Sequence, residues 1–182
     1  CFGLLQSIWC DSFVGAADSV NASVMATLPA KHPDESAVTM TELLLPQHAN
    51  TLGTAFGGQI LSWVDIAASI CATRHSGTDT VTVSFDDVHF VVPIHVGDVV
   101  VLKSRLAKVG RTSMEIEVNV WRETRQAPPE QALVAYVTFV SLGIEGKPAA
   151  VPPLIIDNDS DQQRHDDAKQ RREARLRRAR KS

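Results

Sequence analysis

Cysteine is scarce in this 182-residue chain: Cys1, Cys10 and Cys71 make an odd number and show no CxxC spacing. That argues against a disulfide framework and a thiolate zinc site, and it fits a reducing, cytoplasmic compartment. Long apolar runs are missing as well. None approaches the roughly 18 to 20 residues that a membrane-spanning helix needs. No Lys or Arg precedes Lys31, so the opening segment lacks both the basic n-region of a secretory signal and the arginines of a mitochondrial presequence. The chain opens on Cys1, which fits either a fragment or a start at Met25 with unrelated residues ahead of it, and the sequon at Asn21 then reads as a chance match. No glycine-rich phosphate loop of the P-loop type occurs.

What is present is an ordinary soluble composition. An apolar fraction of 44% and a charged fraction of 21% exclude wholesale disorder, and the length suits one domain with tails. The net charge of −3 is unevenly spread: residues 161–182 carry nine Lys or Arg against four Asp or Glu, leaving the remainder near −8. Because Asp166, Asp167 and Glu173 interrupt the basic residues and no aromatic accompanies them, this tail reads as a solvated charged helix or a frayed end. A nucleic-acid surface is not expected.

Between the tails the pattern is β-α-β-β-β-β. Residues 37–45 alternate, turn solidly apolar and stop at Pro46, as a strand ended by a turn does. After a polar loop and the Gly57-Gly58 pair, Ile60, Leu61, Val64, Ala67, Ala68 and Cys71 recur at helical spacing as far as His75. The small residues Ala67, Ala68, Ser69 and Ala72 let that helix lie close to whatever covers it. Residues 80–92, 97–109, 112–123 and 131–143 are rich in Val, Ile, Thr and Phe, with Pro or Gly in the breaks. One helix and consecutive strands call for an α+β domain with an antiparallel sheet. The expected organisation is a poorly ordered extension at 1–36, a single domain at 37–153, and a linker and charged tail at 154–182.

The chemistry concentrates in residues 50–75. Paired glycines at a helix start either make a tight turn or let a substrate approach backbone N–H groups that have no partner inside the helix, which can then serve as an oxyanion hole. Asp65 lies two helical turns beyond Gly58, between Val64 and Ile66. Desolvation there would raise its pKa and suit a general base; a solvent-facing Asp or a buried structural acceptor is the alternative. Asn50 either forms a turn or orients a water or a carbonyl.

The combination Asn50-x-x-Gly53-x-x-Phe56-Gly57-Gly58-x-Ile60-Leu61-x-x-x-Asp65-x-x-Ala68, with Arg74-His75 at the helix end, resembles the signature of hotdog-fold acyl-CoA hydrolases. The nearest group is that of the YciA-type thioesterases and the cytosolic acyl-CoA hydrolases. Similarity continues through 81–90, 93–100 and 110–115 and covers roughly residues 38–153. The resemblance implies a long central helix wrapped by a five-stranded antiparallel sheet and hydrolysis of acyl-CoA to a carboxylic acid and coenzyme A. It also implies a homodimer, or a trimer of dimers, with Asn50 of one chain facing Asp65 of the other. Asp65 would be base or nucleophile, Asn50 would place the water or carbonyl, and the Gly58 N–H would bind the oxyanion beside Phe56 and Gly57. Lys108, Gly110, Arg111, Thr112 and Ser113 would cradle the coenzyme A phosphates, or else form a plain hairpin with a solvated arginine.

No metal or separate cofactor is expected, since coenzyme A is part of the substrate. Hotdog hydratases pair an Asp with a His five residues on, and no His here has an acidic residue five positions before it. A non-catalytic acyl-CoA binder would not need a carboxylate at position 65. His75 is expected to cap the helix C-terminus, His89 and His95 to be structural, and Cys71 to be a buried core thiol.

Overall fold

Five antiparallel strands wrap one face of a long helix in the computed structural model, which describes residues 28–179. Most of the 1–36 extension, with Cys1, Cys10, Asn21 and Met25, lies outside the described residues. The strands are β1 (Val38–Leu43), β2 (Asp79–Phe90), β3 (Val99–Val109), β4 (Ser113–Glu123) and β5 (Glu130–Leu142); helix α1 spans Gly57–Ser76 and α2 spans Asp159–Ala179. The sheet order is β1-β3-β4-β5-β2, so β1 and β2 are its edges. Among the described residues no helix is long and apolar enough to cross a membrane.

Alternation along the strands decides which residues enter the core. Leu102 and Leu106 of β3, Met114, Ile116, Val118 and Val120 of β4, and Leu133, Val137 and Phe139 of β5 are buried towards α1. Each large side chain so buried contributes about 1.5–3 kcal/mol relative to exposure. On the helix, Ala67, Ala68, Cys71 and Ala72 are wholly buried, which lets the backbone approach the concave sheet. Burial pushes the Cys71 thiol up to about 12, so it stays protonated and is no nucleophile.

The end of α1 departs from expectation. Gly77 stops the helix in the left-handed region, at φ 70°, where glycine carries no steric penalty. The carbonyls of Arg74 and His75 are capped by Lys31, whose Nζ donates to them at 3.3 and 2.8 Å. His75 is not the cap. Its ring is buried and Nε2 lies 2.9 Å from the Pro152 carbonyl oxygen, and burial lowers its pKa.

The charged tail also differs from the solvated or frayed helix expected of it. Asn158 starts α2, its Oδ1 accepting from the Asp161 N–H at 2.9 Å. The helix then docks on the outer face of the sheet. Arg105 Nη2 binds both oxygens of the buried Asp161 at 2.9 and 2.7 Å. Arg171 donates to Glu115 at 2.9 Å and lies 3.5 Å above the centre of the Tyr136 ring. Arg175 pairs with Asp86, and Ala168 is fully buried. The excess positive charge of the tail thus meets an acidic row, Glu115, Glu117 and Asp86, on odd β4 positions and on β2. A sequence reading sees the two charge sets but not that a sheet face brings them together.

Candidate active site

The loop before α1 is shaped by its own polar groups. Asn50 Nδ2 donates to Thr54 Oγ1 at 2.9 Å, while Asn50 Oδ1 accepts from the Leu52 and Thr54 N–H groups at 2.9 and 3.3 Å. Within one chain Asn50 is therefore the turn-former, and it makes no hydrogen bond to Asp65. At the helix start, Gln59 and Ile60 both donate to the Phe56 carbonyl. The N–H groups of Gly57 and Gly58 reach no backbone carbonyl among the described residues, as the first turn of a helix requires. A Cβ on Gly58 would stand 2.5 Å from Phe56 Cε1, so glycine is needed for this ring to lie across the helix start. Beside these donors a cavity of about 370 Å³ is lined by Ala55, Gly57, Ile60, Phe90, Val92 and Ile94, an apolar space next to a pair of N–H donors.

Two turns along α1, Asp65 is half-buried, and its Oδ1 accepts a hydrogen bond from Thr82 Oγ1 at 2.7 Å. The dry setting expected from Val64 and Ile66 is not found in the single chain. Val64 faces the core, but Ile66 and Ile70 are exposed, and so are Val83 and Phe85 on the adjoining edge strand β2. The β2–β5 register slips between Thr82 and Ser84, a bulge that turns the strand just past Thr82. Sequence reasoning missed Thr82, which does not stand out among the alternating hydroxyls Thr80, Thr82 and Ser84 of the strand start.

The β3–β4 turn carries the other expected residues. Gly110 N–H donates to the Ser113 carbonyl at 2.7 Å, and the carbonyls of Arg111 and Thr112 accept from Val151 and Ser141. Thr112 is buried, so its side chain is not on the surface of any cradle. Lys108, Gly110 and Ser113 line a small outer cavity together with Arg172 and Arg175 of α2. Among the described residues there is no group of three or more His, Cys, Asp or Glu able to hold a metal ion.

Residues 52–129 match the family model described as Thioesterase superfamily. A chain from Bacillus subtilis, described as an uncharacterized acyl-CoA thioester hydrolase, is 38% identical over 159 residues, which is 87% of this chain and 92% of that one. The chain belongs to the hotdog acyl-CoA thioesterases. That alignment is longer than the span 38–153 that carries the motifs, so the likeness runs into the terminal segments. The Staphylococcus aureus acyl-CoA hydrolase, solved with butyryl coenzyme A, coenzyme A and coenzyme A disulfide, superposes on this thioesterase with a TM-score of 0.78 at 34% identity, over 83% of this chain and 93% of that one. Structures of the same S. aureus protein include single alanine variants of an asparagine, an aspartate and a threonine spaced 15 and 17 residues apart in that order. Asn50, Asp65 and Thr82 have the same spacing. A hexameric thioesterase from Yersinia pestis superposes at a TM-score of 0.60 and 34% identity, over 62% of this chain and 93% of that one.

Proposed function

We propose that this thioesterase hydrolyses acyl-CoA thioesters at a site built from Asp65 of one chain and Asn50 of a second. The observation that carries the reading is the Thr82–Asp65 hydrogen bond of 2.7 Å, which fixes one carboxylate oxygen at the surface where α1 meets the edge strand. Asp65 either takes a proton from the attacking water or attacks the carbonyl carbon itself. With water, the oxygen adds to the carbon and the carbonyl electrons move to the oxygen. The N–H of Gly58, aided by the partial positive charge of the helix start, then stabilises that oxyanion. Collapse breaks the C–S bond, and the coenzyme A thiolate takes up the proton held by Asp65. The products are the carboxylic acid and coenzyme A, and no cofactor enters the balance.

The exposed apolar residues supply the reason for a second chain. Ile66, Ile70, Val83 and Phe85 flank Asp65 beside an unpaired strand edge, and covering them with the same surface of another copy removes both liabilities. It also dries Asp65, as a general base requires. The hexameric Y. pestis thioesterase supports assembly of such dimers into a trimer. Lys108, Gly110, Arg111 and Ser113 face the phosphate end of coenzyme A in this reading.

The test is Asp65→Asn, which keeps the shape and the Thr82 contact. Release of coenzyme A, followed with a thiol reagent, should show a kcat loss of at least about 10²-fold with coenzyme A binding retained. Undiminished turnover would contradict the assignment.

A further inference from the structure

An arginine stands where the core-facing row of β4 would continue. Met114, Ile116, Val118 and Val120 are buried towards α1, and the next residue in that alternation is Arg122. Its side chain is only 17% exposed, beside Asp98 at 14%. The guanidinium serves three groups at once. Nη1 donates to the Pro93 carbonyl at 2.8 Å, Nη2 donates to the Glu130 carboxylate, and Nε lies 3.9 Å from Asp98 Oδ2. A planar fork can reach in these three directions, whereas a single ammonium cannot.

Arg122 thereby holds the connection from β2 to β3. Phe90, Val91, Val92, Pro93 and Ile94 form one wall of the 370 Å³ cavity, and Ala55, Gly57 and Ile60 belong to the other. The first wall has thin backbone support, since Pro93 has no N–H to offer a neighbouring strand. The Val91 N–H donates to the Ala132 carbonyl at 2.9 Å, and the Ile94 carbonyl accepts from the Ala55 N–H at 2.8 Å; between these ties sits the Pro93 carbonyl that Arg122 holds. Asp98 accepts from the His95 N–H at 2.8 Å, which closes the turn that follows. The opposite wall has ties of its own. Phe56 N–H donates to the His48 carbonyl at 2.9 Å, and Asn50 shapes the loop from within. Losing Arg122 therefore frees one wall and leaves the helix start in place.

We propose that Arg122 is a positioning residue for substrate length: by fixing the Pro93 carbonyl it holds the 90–94 wall against the loop before α1 and so sets how much of an acyl chain the cavity buries. This rests on the acyl-CoA reading above. An apolar cavity of about 150 Å³ already admits benzene, so this one has room for several methylenes beyond the carbonyl held at Gly58. Arg122 then acts on the far end of the acyl chain and not on the thioester.

Titration calorimetry on the full chain tests this with two thioethers that cannot be hydrolysed, S-ethyl coenzyme A and S-octyl coenzyme A. Wild type should bind the octyl form more tightly. Arg122→Ala should cut the octyl-to-ethyl affinity ratio about tenfold, the worth of roughly two methylenes left in water, with the ethyl affinity unchanged. Arg122→Lys keeps a cation near Asp98 and Glu130 and should cut the ratio by a smaller factor, so it carries the test if the alanine variant does not fold. Arg171→Ala, which weakens the fold from the outer face of the sheet, should leave the ratio alone; a merely structural part for Arg122 would make the two arginines behave alike. Turnover of acetyl- and octanoyl-coenzyme A by wild type is measured alongside. A chain that hydrolyses neither, yet shows the shift in ratio, loses the hydrolase reading and keeps Arg122 in this role. A ratio that is the same in wild type and in the Arg122 variants that fold, or a wild type with no preference for the octyl form, would overturn the proposal.

Discussion

Arg171→Ala tests whether α2 is a working part of the fold. The guanidinium neutralises Glu115, which is only 5% exposed, and covers the Tyr136 ring. Without it the carboxylate keeps only Arg175, at 3.9 Å, and that arginine is already tied to Asp86. Removing one partner of a buried pair costs about 3–5 kcal/mol. The residual pull of Arg175, and the freedom of Glu115 to take a proton, place this case near the low end, at about 3 kcal/mol. For a chain of this size that is a fall in Tm of about 6–12 °C. The pH dependence has a definite sign. Burial holds the Glu115 pKa above its ordinary value, and Arg171 opposes that rise; deleting Arg171 lifts it further. A carboxyl whose pKa is raised in the folded state favours folding below its unfolded value and loses that contribution as pH climbs through the folded value. The deficit of Arg171→Ala should therefore be largest near neutral pH and shrink towards about pH 5. Thermal unfolding followed by circular dichroism at both values checks this, with Glu115→Gln/Arg171→Ala expected to lose less than Arg171→Ala alone. A single variant that melts within about 1 °C of wild type at neutral pH would refute the buried-pair account.

Thr82→Val should lower kcat about tenfold, the worth of one hydrogen bond to a charged group, while coenzyme A affinity holds; an unchanged kcat would remove Thr82 from the site. Gly58→Ala sets a methyl 2.5 Å from Phe56 Cε1, but that ring is 60% exposed and can swing aside. Because alanine favours the helix by up to about 1 kcal/mol, melting should not fall, whereas kcat/KM should drop about tenfold through the crowded oxyanion donors. Paired melting and steady-state assays read both effects.

Much of the frame was legible because its signals are local. The 3.6-residue recurrence from Ile60 to Cys71 places α1 without reference to anything distant, and the Gly and Pro breaks place each strand to within a few residues. The positions on that helix for which a catalytic part is proposed, Asp65 and the glycine pair, could therefore be placed on it from the sequence. What stayed hidden depends on contacts far apart in the chain. Thr82 matters only because β2 runs beside α1, and the docking of α2 needs Glu115, Tyr136 and Asp86, which three different strands bring to one face. Lys31 displaced His75 as the helix cap for the same reason. The burial expected at Asp65 fails in one chain because Ile66 faces outward, towards a surface that a second copy would cover.

Mixing Asp65→Asn with Asn50→Ala subunits tests the shared site most directly. Each parent dimer has two damaged sites. Random exchange of equal amounts makes about half the dimers mixed. In each of these, one site receives both substitutions and the other receives neither, so the exchanged mixture should recover about a quarter of wild-type turnover. Turnover that remains at the level of the two parents, in a mixture shown by mass spectrometry of intact dimers to have exchanged fully, would contradict a site made from Asn50 of one chain and Asp65 of its partner.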